Sequence, residues 1–321
     1  MSAGSSRPTA VVTGGAGAIG SVLVESLLRD GYAVRVVDNL SSGRRDHLPG
    51  ARAGAPVELT VADLREPIPL DVVRGAEAVW HLAANPDIRL GTAEPRTDLE
   101  HGTIATFHAL EAARRADAKR FLFSSSSVVY GLPTVFPTPE TYGPLLPESL
   151  YGASKLASEG LVSAYAHTYG LRGYVFRFAN IIGSRMTHGV IYDFIEKLRR
   201  NPTRLEVLGD GRQAKSYLWV DDCVGGMRAA EAGARDPVNV FNLGSVDRIS
   251  VSEIAGRVVR AMGGRATVEY AGGPRGWPGD VPQQFLAIDR IRALGWSPRL
   301  SSAEAVDRAI ASLLPAAGPA A

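Results

Sequence analysis

The chain contains a single cysteine, Cys223. An intramolecular disulfide is thereby excluded, and Cys223 reads as a small apolar residue near a helix start. No Cys/His cluster with metal spacing appears, and the six histidines show no arrangement that demands a metal. Charge of one sign is lacking as well. The 35 basic and 33 acidic residues give a formal +2, without long runs of either sign. That balance carries no electrostatic footprint for nucleic acid or an anionic membrane, so any anion must be bound locally. No run approaches the ~18 apolar residues of a membrane span, and Met1–Pro8 has no apolar signal core. A cytoplasmic protein is the expectation. Internal repeats are absent too.

Apolar residues, in contrast, are plentiful and ordered. They fill 45% of the 321 positions, ample for a core, and the length admits one large domain or two of about 150 residues each. Strand-like runs at 9–13, 33–37, 57–62, 77–82, 119–124 and 173–178 alternate with helical stretches, among them 98–116 and 151–169. This alternation predicts an α/β fold, a doubly wound parallel sheet with helices on both faces. Past about residue 180 the pattern loosens: helices near 189–200, 221–233, 251–262 and 302–314 interleave with short strands at 205–208, 216–219, 238–242 and 266–270. The expected layout is a cofactor domain over 1–179 and a smaller, mainly ligand-binding α/β domain over 180–321. Pro and Gly crowd into 271–282, which reads as an ordered functional loop, and Pro315–Ala321 reads as a frayed tail.

Thr9–Thr13 is followed by Gly14-Gly-Ala-Gly17-Ala-Ile-Gly20 and the amphipathic stretch Ser21–Arg29. Strand, glycine loop and helix arrive in the order a dinucleotide site requires. Glycines permit the tight turn and let the backbone approach a pyrophosphate, whose charge the N–H groups at the helix start hold. A second strand ends in Asp38, 18 residues beyond Gly20. An acid there suits the hydroxyls of an adenosine ribose and repels a 2′-phosphate, favouring NAD over NADP. Arg44 and Arg45 qualify the preference, since an arginine can accept the additional phosphate.

Tyr151-Gly-Ala-Ser-Lys155 sets a phenol and an ammonium one helical turn apart on one face. A lysine beside it favours the phenolate of a tyrosine whose ordinary pKa is about 10, and the pair can then take a proton from an alcohol. Alone, the spacing also fits a surface turn with an aliphatic stem lying on an aromatic ring.

With Thr13-Gly-Gly-Ala-Gly-Ala-Ile-Gly20, Asp38-Asn-Leu-Ser-Ser-Gly43, Asp63-Leu64, His81-Leu-Ala-Ala84, Ser124-Ser-Ser-Ser-Val-Val-Tyr-Gly131 and Tyr151–Lys155 in this order, the chain resembles the extended short-chain dehydrogenase/reductases, and within them the nucleotide-sugar 4-epimerases. The resemblance implies a Rossmann domain holding NAD and a C-terminal domain for a nucleoside diphosphate sugar. By position it places Gly14, Gly17, Ala18, Ile19 and Gly20 around the pyrophosphate, Asp38 and Asn39 at the adenosine ribose, with Ser42 and Gly43 beside it. Asp63 and Leu64 fall at the adenine, and Leu82, Ala83 and Ala84 along the nicotinamide side. Ser126 corresponds to the family's catalytic Ser/Thr, Tyr151 to the acid/base, and Lys155 to the residue that binds the nicotinamide ribose and lowers the tyrosine pKa. The implied reaction inverts C4 of a UDP-hexose through a transient 4-keto sugar. Turn chemistry and capping equally suit Ser124, Ser125 and Ser127.

On the substrate side the resemblance points to Ser127, Asn180, Val190, Ile191, Lys215, Tyr217 and Arg275, and it puts Arg185 near the sugar C6, where a cation can meet a uronic acid carboxylate or serve as a phosphate or surface arginine. Several positions depart from the family pattern. Lys215-Ser216 stands where Arg-Asp is usual, His101-Gly102-Thr103 where an asparagine lies near the nicotinamide, and Pro86 near a substrate-side lysine of some galactose epimerases. Ser127 and Val128 occupy the Asp-Glu places of the 4,6-dehydratases, and the glutamate of the UDP-glucuronate decarboxylases is missing. A net NDP-sugar reductase or dehydrogenase and a non-catalytic NAD-binding regulator remain as alternatives. A homodimer is the family expectation, and His81, His101, His188 and Tyr130 read as packing or local hydrogen-bond residues.

Overall fold

The computed structural model describes residues 7–48, 50, 56–277 and 279–314. The residues before Arg7 and the tail from Pro315 lie outside the described residues, as does Pro278 of the 271–282 loop.

Seven strands form the main sheet: β1 (Thr9–Thr13), β2 (Ala33–Asp38), β3 (Val57–Val61), β4 (Ala78–His81), β5 (Arg120–Ser126), β6 (Arg172–Phe178) and the strand Val238–Leu243. Their order is Val238–Leu243, β6, β5, β4, β1, β2, β3. β1 pairs in parallel with β2 on one side and β4 on the other, and β2–β3 and β4–β5 are parallel as well. Val11, Val12, Val36, Val37, Val79 and Trp80 are fully buried, as expected of parallel strands covered on both faces. Because β4 returns to the far side of β1 from β2, the winding reverses between β1 and β4. Their carboxyl ends therefore flank a topological switch point, the place where such sheets bind ligands.

Two elements differ from the sequence reading. The strand Val238–Leu243, grouped there with the looser C-terminal pattern, is the edge strand of the main sheet. Gly173 N donates to Pro237 O and Ala179 N to Leu243 O, each at 2.8 Å, so the two segments advance together. Main-chain register between distant segments decides such a pairing, and local periodicity carries no record of it. The stretch 98–116 is broken as well: Pro95–Asp98 is a short helix, Leu99–Ile104 a π-turn and Ala105–Arg115 an α-helix. A Cβ on Gly102 would lie 2.8 Å from Ser154 Cβ, so the π-turn brings bare backbone against the helix Leu150–Tyr169.

The chain divides into two compact units. One holds the chain through Ser125 with Ala153–Phe176 and Glu231–Val240; the other holds Ser126–Gly152, Arg177–Ala230 and the chain from Phe241. In the second unit Asn180–Ile182 pairs in parallel with Tyr217–Trp219, and Arg204–Val207 with Thr267–Tyr270. Helices Val251–Ala261 and Ser302–Leu313 both begin with capping boxes, Ser250 with Glu253 and Ser301 with Glu304, each satisfying two otherwise unpaired N–H groups. Among the described residues no helix is long and apolar enough to cross a membrane.

Candidate active site

The glycine loop leaves β1 in a turn that only glycine enters without strain. Gly14 has φ +68° and a Cβ there would stand 2.7 Å from Ala83 N. Gly20 presses on the backbone of Gly14 and Gly15, the Cα of Gly15 lying 2.8 Å from any added Cβ. The first turn of the helix Ala18–Arg29 has neither a capping side chain nor an acidic residue, so its N–H groups suit an anion. Asp38, at the tip of β2, accepts from Ala16 N at 2.9 Å and from Leu40 N at 2.8 Å, locking the loop while keeping further lone pairs for hydroxyl donors. Gly43 is packed on Ala16, whose Cβ lies 2.9 Å from an added Cβ, and exposed Ser42 precedes it. The residues fit a dinucleotide: a glycine cradle, an uncapped helix start and a fixed acid.

Asp63 is less available. Arg65 grips it through Nε and a terminal nitrogen at 3.2 and 3.0 Å, and this hydrogen bonding holds its carboxyl down at about 2. Asn39 reaches the same oxygen at 3.5 Å, while Leu64 is buried in the core of this unit. Leu82, Ala83 and Ala84 follow β4, half-buried. His81, just before them, is fully buried. Its Nδ1 faces Thr13 Oγ1 at 2.7 Å and its Nε2 faces Thr106 Oγ1 at 3.0 Å. Because Thr106 Oγ1 donates to Gly102 O, it must accept from Nε2–H, which fixes the tautomer and leaves Nδ1 to accept from Thr13. Burial lowers the His81 pKa to about 3. His81 is thus a neutral tie between β1, β4 and the helix Ala105–Arg115, in line with its packing role.

Lys155 and Tyr151 lie on the helix Leu150–Tyr169, whose start is capped by Ser149 Oγ accepting from Gly152 N at 3.1 Å. Tyr151 sits in the first turn and Lys155 one turn later, so the helix gives the pair the predicted common face. Lys155 is 2% exposed. Its Nζ donates to Ser124 O at 2.7 Å and stands 4.8 Å from the Phe123 ring centroid. Burial pulls its pKa down to about 7, with the negative charges of Asp98 and Glu159 opposing that fall.

The four serines after β5 divide their labour. Ser124 Oγ donates to His81 O at 3.2 Å and Ser125 Oγ to Glu159 Oε1. Ser126 Oγ accepts from Val128 N at 3.4 Å, capping the turn Ser127–Tyr130; as acceptor there, it keeps its own proton to donate. Asp98 and Glu159 are buried carboxylates that the sequence reading did not single out. Glu159 had a signal, its place one turn after Lys155 on the same helix. Asp98 had none, because its role depends on tertiary burial: Oδ1 accepts from Asn85 Nδ2 at 3.0 Å, and desolvation raises its pKa.

In the second unit, strand pairing sets Asn180 opposite Tyr217, and Asn180 Nδ2 donates to Ser216 O at 3.2 Å. Tyr217 is buried, and desolvation with the charge of Asp280 raises its pKa. Lys215 Nζ donates to Asp280 Oδ1 at 2.6 Å and lies 5.2 Å from the Trp277 ring centroid. Asp280 also accepts from Gly276 N at 2.9 Å, tying the 271–282 loop to its base. Arg275 pairs with Glu148 at 3.1 Å. Val190 is half-buried at the start of the helix Val190–Arg200, whereas Ile191 belongs to the core. Arg185 is half-buried in the loop between Ile182 and Val190. Among the described residues no group of three or more His, Cys, Asp or Glu could hold a metal ion.

A family model described as the NAD dependent epimerase/dehydratase family matches residues 10–244. The UDP-glucose 4-epimerase of Mycolicibacterium smegmatis is 32% identical over 308 residues, covering 94% of this chain and 96% of that protein. UDP-glucuronic acid decarboxylase 1 of Arabidopsis thaliana is 32% identical over 316 residues, 96% of this chain and 70% of that one. A crystal structure of a UDP-galactose 4-epimerase matches with a TM-score of 0.85 at 43% identity, covering 95% of this chain and 98% of that chain.

Proposed function

Because the chain belongs to the NAD dependent epimerase/dehydratase family, we propose that it inverts C4 of a nucleoside diphosphate sugar, a UDP-hexose of the glucose/galactose or glucuronate/galacturonate type, through a transient 4-keto sugar. One observation carries the reading: a buried Lys155, anchored on the Ser124 carbonyl near the end of β5, stands one helical turn from Tyr151. NAD, when bound, supplies reversible hydride acceptance at C4. Tyr151 Oη takes the proton of the C4 hydroxyl as the carbon becomes a ketone and returns it when the opposite face is reduced. Lys155 favours the phenolate and binds the nicotinamide ribose, and Ser126 donates to O4. Asp38 and Asn39 hold the adenosine ribose, and Gly14, Gly17 and Gly20 admit the pyrophosphate. Asn180, Lys215 and Arg275 serve the substrate diphosphate, with Ser127 and Tyr217 on the sugar side and Val190 toward the base, Ile191 packing behind it. Ser127 and Val128 offer no acid for dehydration, which supports epimerisation over elimination.

The test is incubation with a panel of UDP-, GDP-, CDP- and dTDP-sugars, without added cofactor, and resolution of C4 epimers by NMR. Tyr151→Phe is expected to lower kcat by about 10²–10⁴ while NAD remains bound. Unchanged interconversion sinks the proposal, and stoichiometric NADH selects the net oxidoreductase instead. Arg185 tunes the choice of sugar: Arg185→Ala is expected to raise the ratio of UDP-glucose to UDP-glucuronate turnover, and an unchanged ratio removes it from the sugar site.

A homodimer belongs to the same reading. Ala153, Ala157, Gly160 and Ala164 form an exposed, uncharged stripe on the helix Leu150–Tyr169, and Leu99, Ile104 and Phe107 are exposed on the segment packed beside it. Small residues let a like helix approach closely, and an apolar face of this kind marks an interface. Ala157→Glu is expected to halve the mass measured by light scattering; an unchanged mass excludes this face.

A further inference from the structure

The helix Leu150–Tyr169 is inverted in its charge. Surface helices turn charges outward, yet its only Lys, Arg, Asp or Glu residues, Lys155 and Glu159, are both buried, while its exposed stripe is uncharged. Burying a carboxylate is expensive unless it is paired, and Ser125 Oγ donates to Glu159 Oε1 at 2.5 Å. Ser124 and Ser125 thus take successive turns of one helix: the carbonyl of the first receives Lys155 Nζ, and the hydroxyl of the second donates to Glu159. Three titratable groups interact electrostatically with Lys155. Asp98 comes from the segment before the π-turn, Glu159 from the lysine's own helix, and His81, kept neutral, from the end of β4.

We infer that Glu159 is a positioning residue for the reaction proposed above: clamped by Ser125 one turn along from Lys155, its carboxylate supplies, together with Asp98, the buried negative charge that keeps the lysine an ammonium while Tyr151 exchanges its proton. Glu159 does not touch the substrate and acts through Lys155 alone. Burial by itself drives that ammonium toward the neutral amine, and Glu159 opposes the fall. The inference rests on the epimerase reading for its catalytic consequence, but its electrostatic core is independent of any substrate.

The chain contains only four lysines, Lys119, Lys155, Lys197 and Lys215, so protein labelled with 13C at lysine Cε gives few signals, and Lys155→Arg identifies the one that matters. The holoenzyme is titrated as purified. In Glu159→Gln, whose amide oxygen still accepts from Ser125, the midpoint of the Lys155 signal is expected to fall by about one pH unit or more, a tenfold change in protonation. The alkaline limb of the kcat profile is expected to move the same way, with KM unchanged. A Lys155 midpoint that stays in place overturns the inference, even if the variant is slower at every pH. Should Glu159→Gln not fold, Glu159→Asp decides: a retained charge predicts the parent midpoint, and a midpoint displaced by one unit refutes the role. Loss of the epimerase reading alone would leave the NMR result standing.

Discussion

Lys155→Met separates the stability of this fold from its chemistry. The Lys155 amine is 2% exposed, and burial lowers its pKa from 10.5 to about 7. At about 1.4 kcal/mol per pH unit, holding the ammonium in place below pH 7 costs roughly 5 kcal/mol relative to water. Methionine keeps the length and apolar stem and sets a polarizable sulfur near Phe123. It removes the donor to Ser124 O, a loss of about 1–3 kcal/mol for a buried carbonyl. The net expectation is a gain of about 2–4 kcal/mol in nucleotide-free protein at pH 6, or about 3–6 °C in melting temperature for a chain of this size, together with loss of turnover. The sign depends on pH. The folded value lies below the unfolded one, so between about pH 7 and 10.5 the unfolded chain holds the additional proton and the parent gains stability as pH rises. The advantage of Lys155→Met should therefore shrink from pH 7 upward. Thermal melts from pH 6 to pH 9 measure it; a variant no more stable than the parent at pH 6, or a difference constant with pH, refutes the reasoning.

Two further substitutions probe the frame. Gly20→Ala forces a Cβ onto the backbone of Gly14 and Gly15; overpacking of this kind costs about 1–3 kcal/mol or more, so a lower melting temperature and loss of retained NAD are expected, and a variant that melts like the parent with its cofactor contradicts the close approach. In the second unit Tyr130 Oη donates to Asn242 Oδ1 at 2.7 Å and accepts from Arg177 at 3.0 Å. Tyr130→Phe leaves both buried partners short of a bond, and a destabilisation of about 1–3 kcal/mol is expected by thermal melting; a neutral effect would place the weight on the Arg177 bond to Glu140 O.

Much of this architecture is legible because it is local. β1 spans Thr9–Thr13 and the helix Leu150–Tyr169 lies within a residue of its expected start, since an apolar run between turn signals and a helical period with a serine cap are written in consecutive residues. The glycine loop and the acid after β2 carry their own spacing. Asp98 and the π-turn were not legible: a carboxylate becomes perturbed only when other segments remove its water, and Gly102 acquires its meaning from Ser154, more than fifty residues away.

The sequence alone determined the strand-loop-helix order, the Tyr151–Lys155 turn and the absence of an intramolecular disulfide, because each depends on residue type and short-range spacing. Tertiary structure alone decided that Val238–Leu243 closes the edge of the main sheet, that His81 is a neutral tie, and that Lys155 is buried with the charges of Asp98 and Glu159 opposing the effect of that burial. Those outcomes depend on which groups lose their water together, and desolvation is a property of the packed chain that no stretch of neighbouring residues contains.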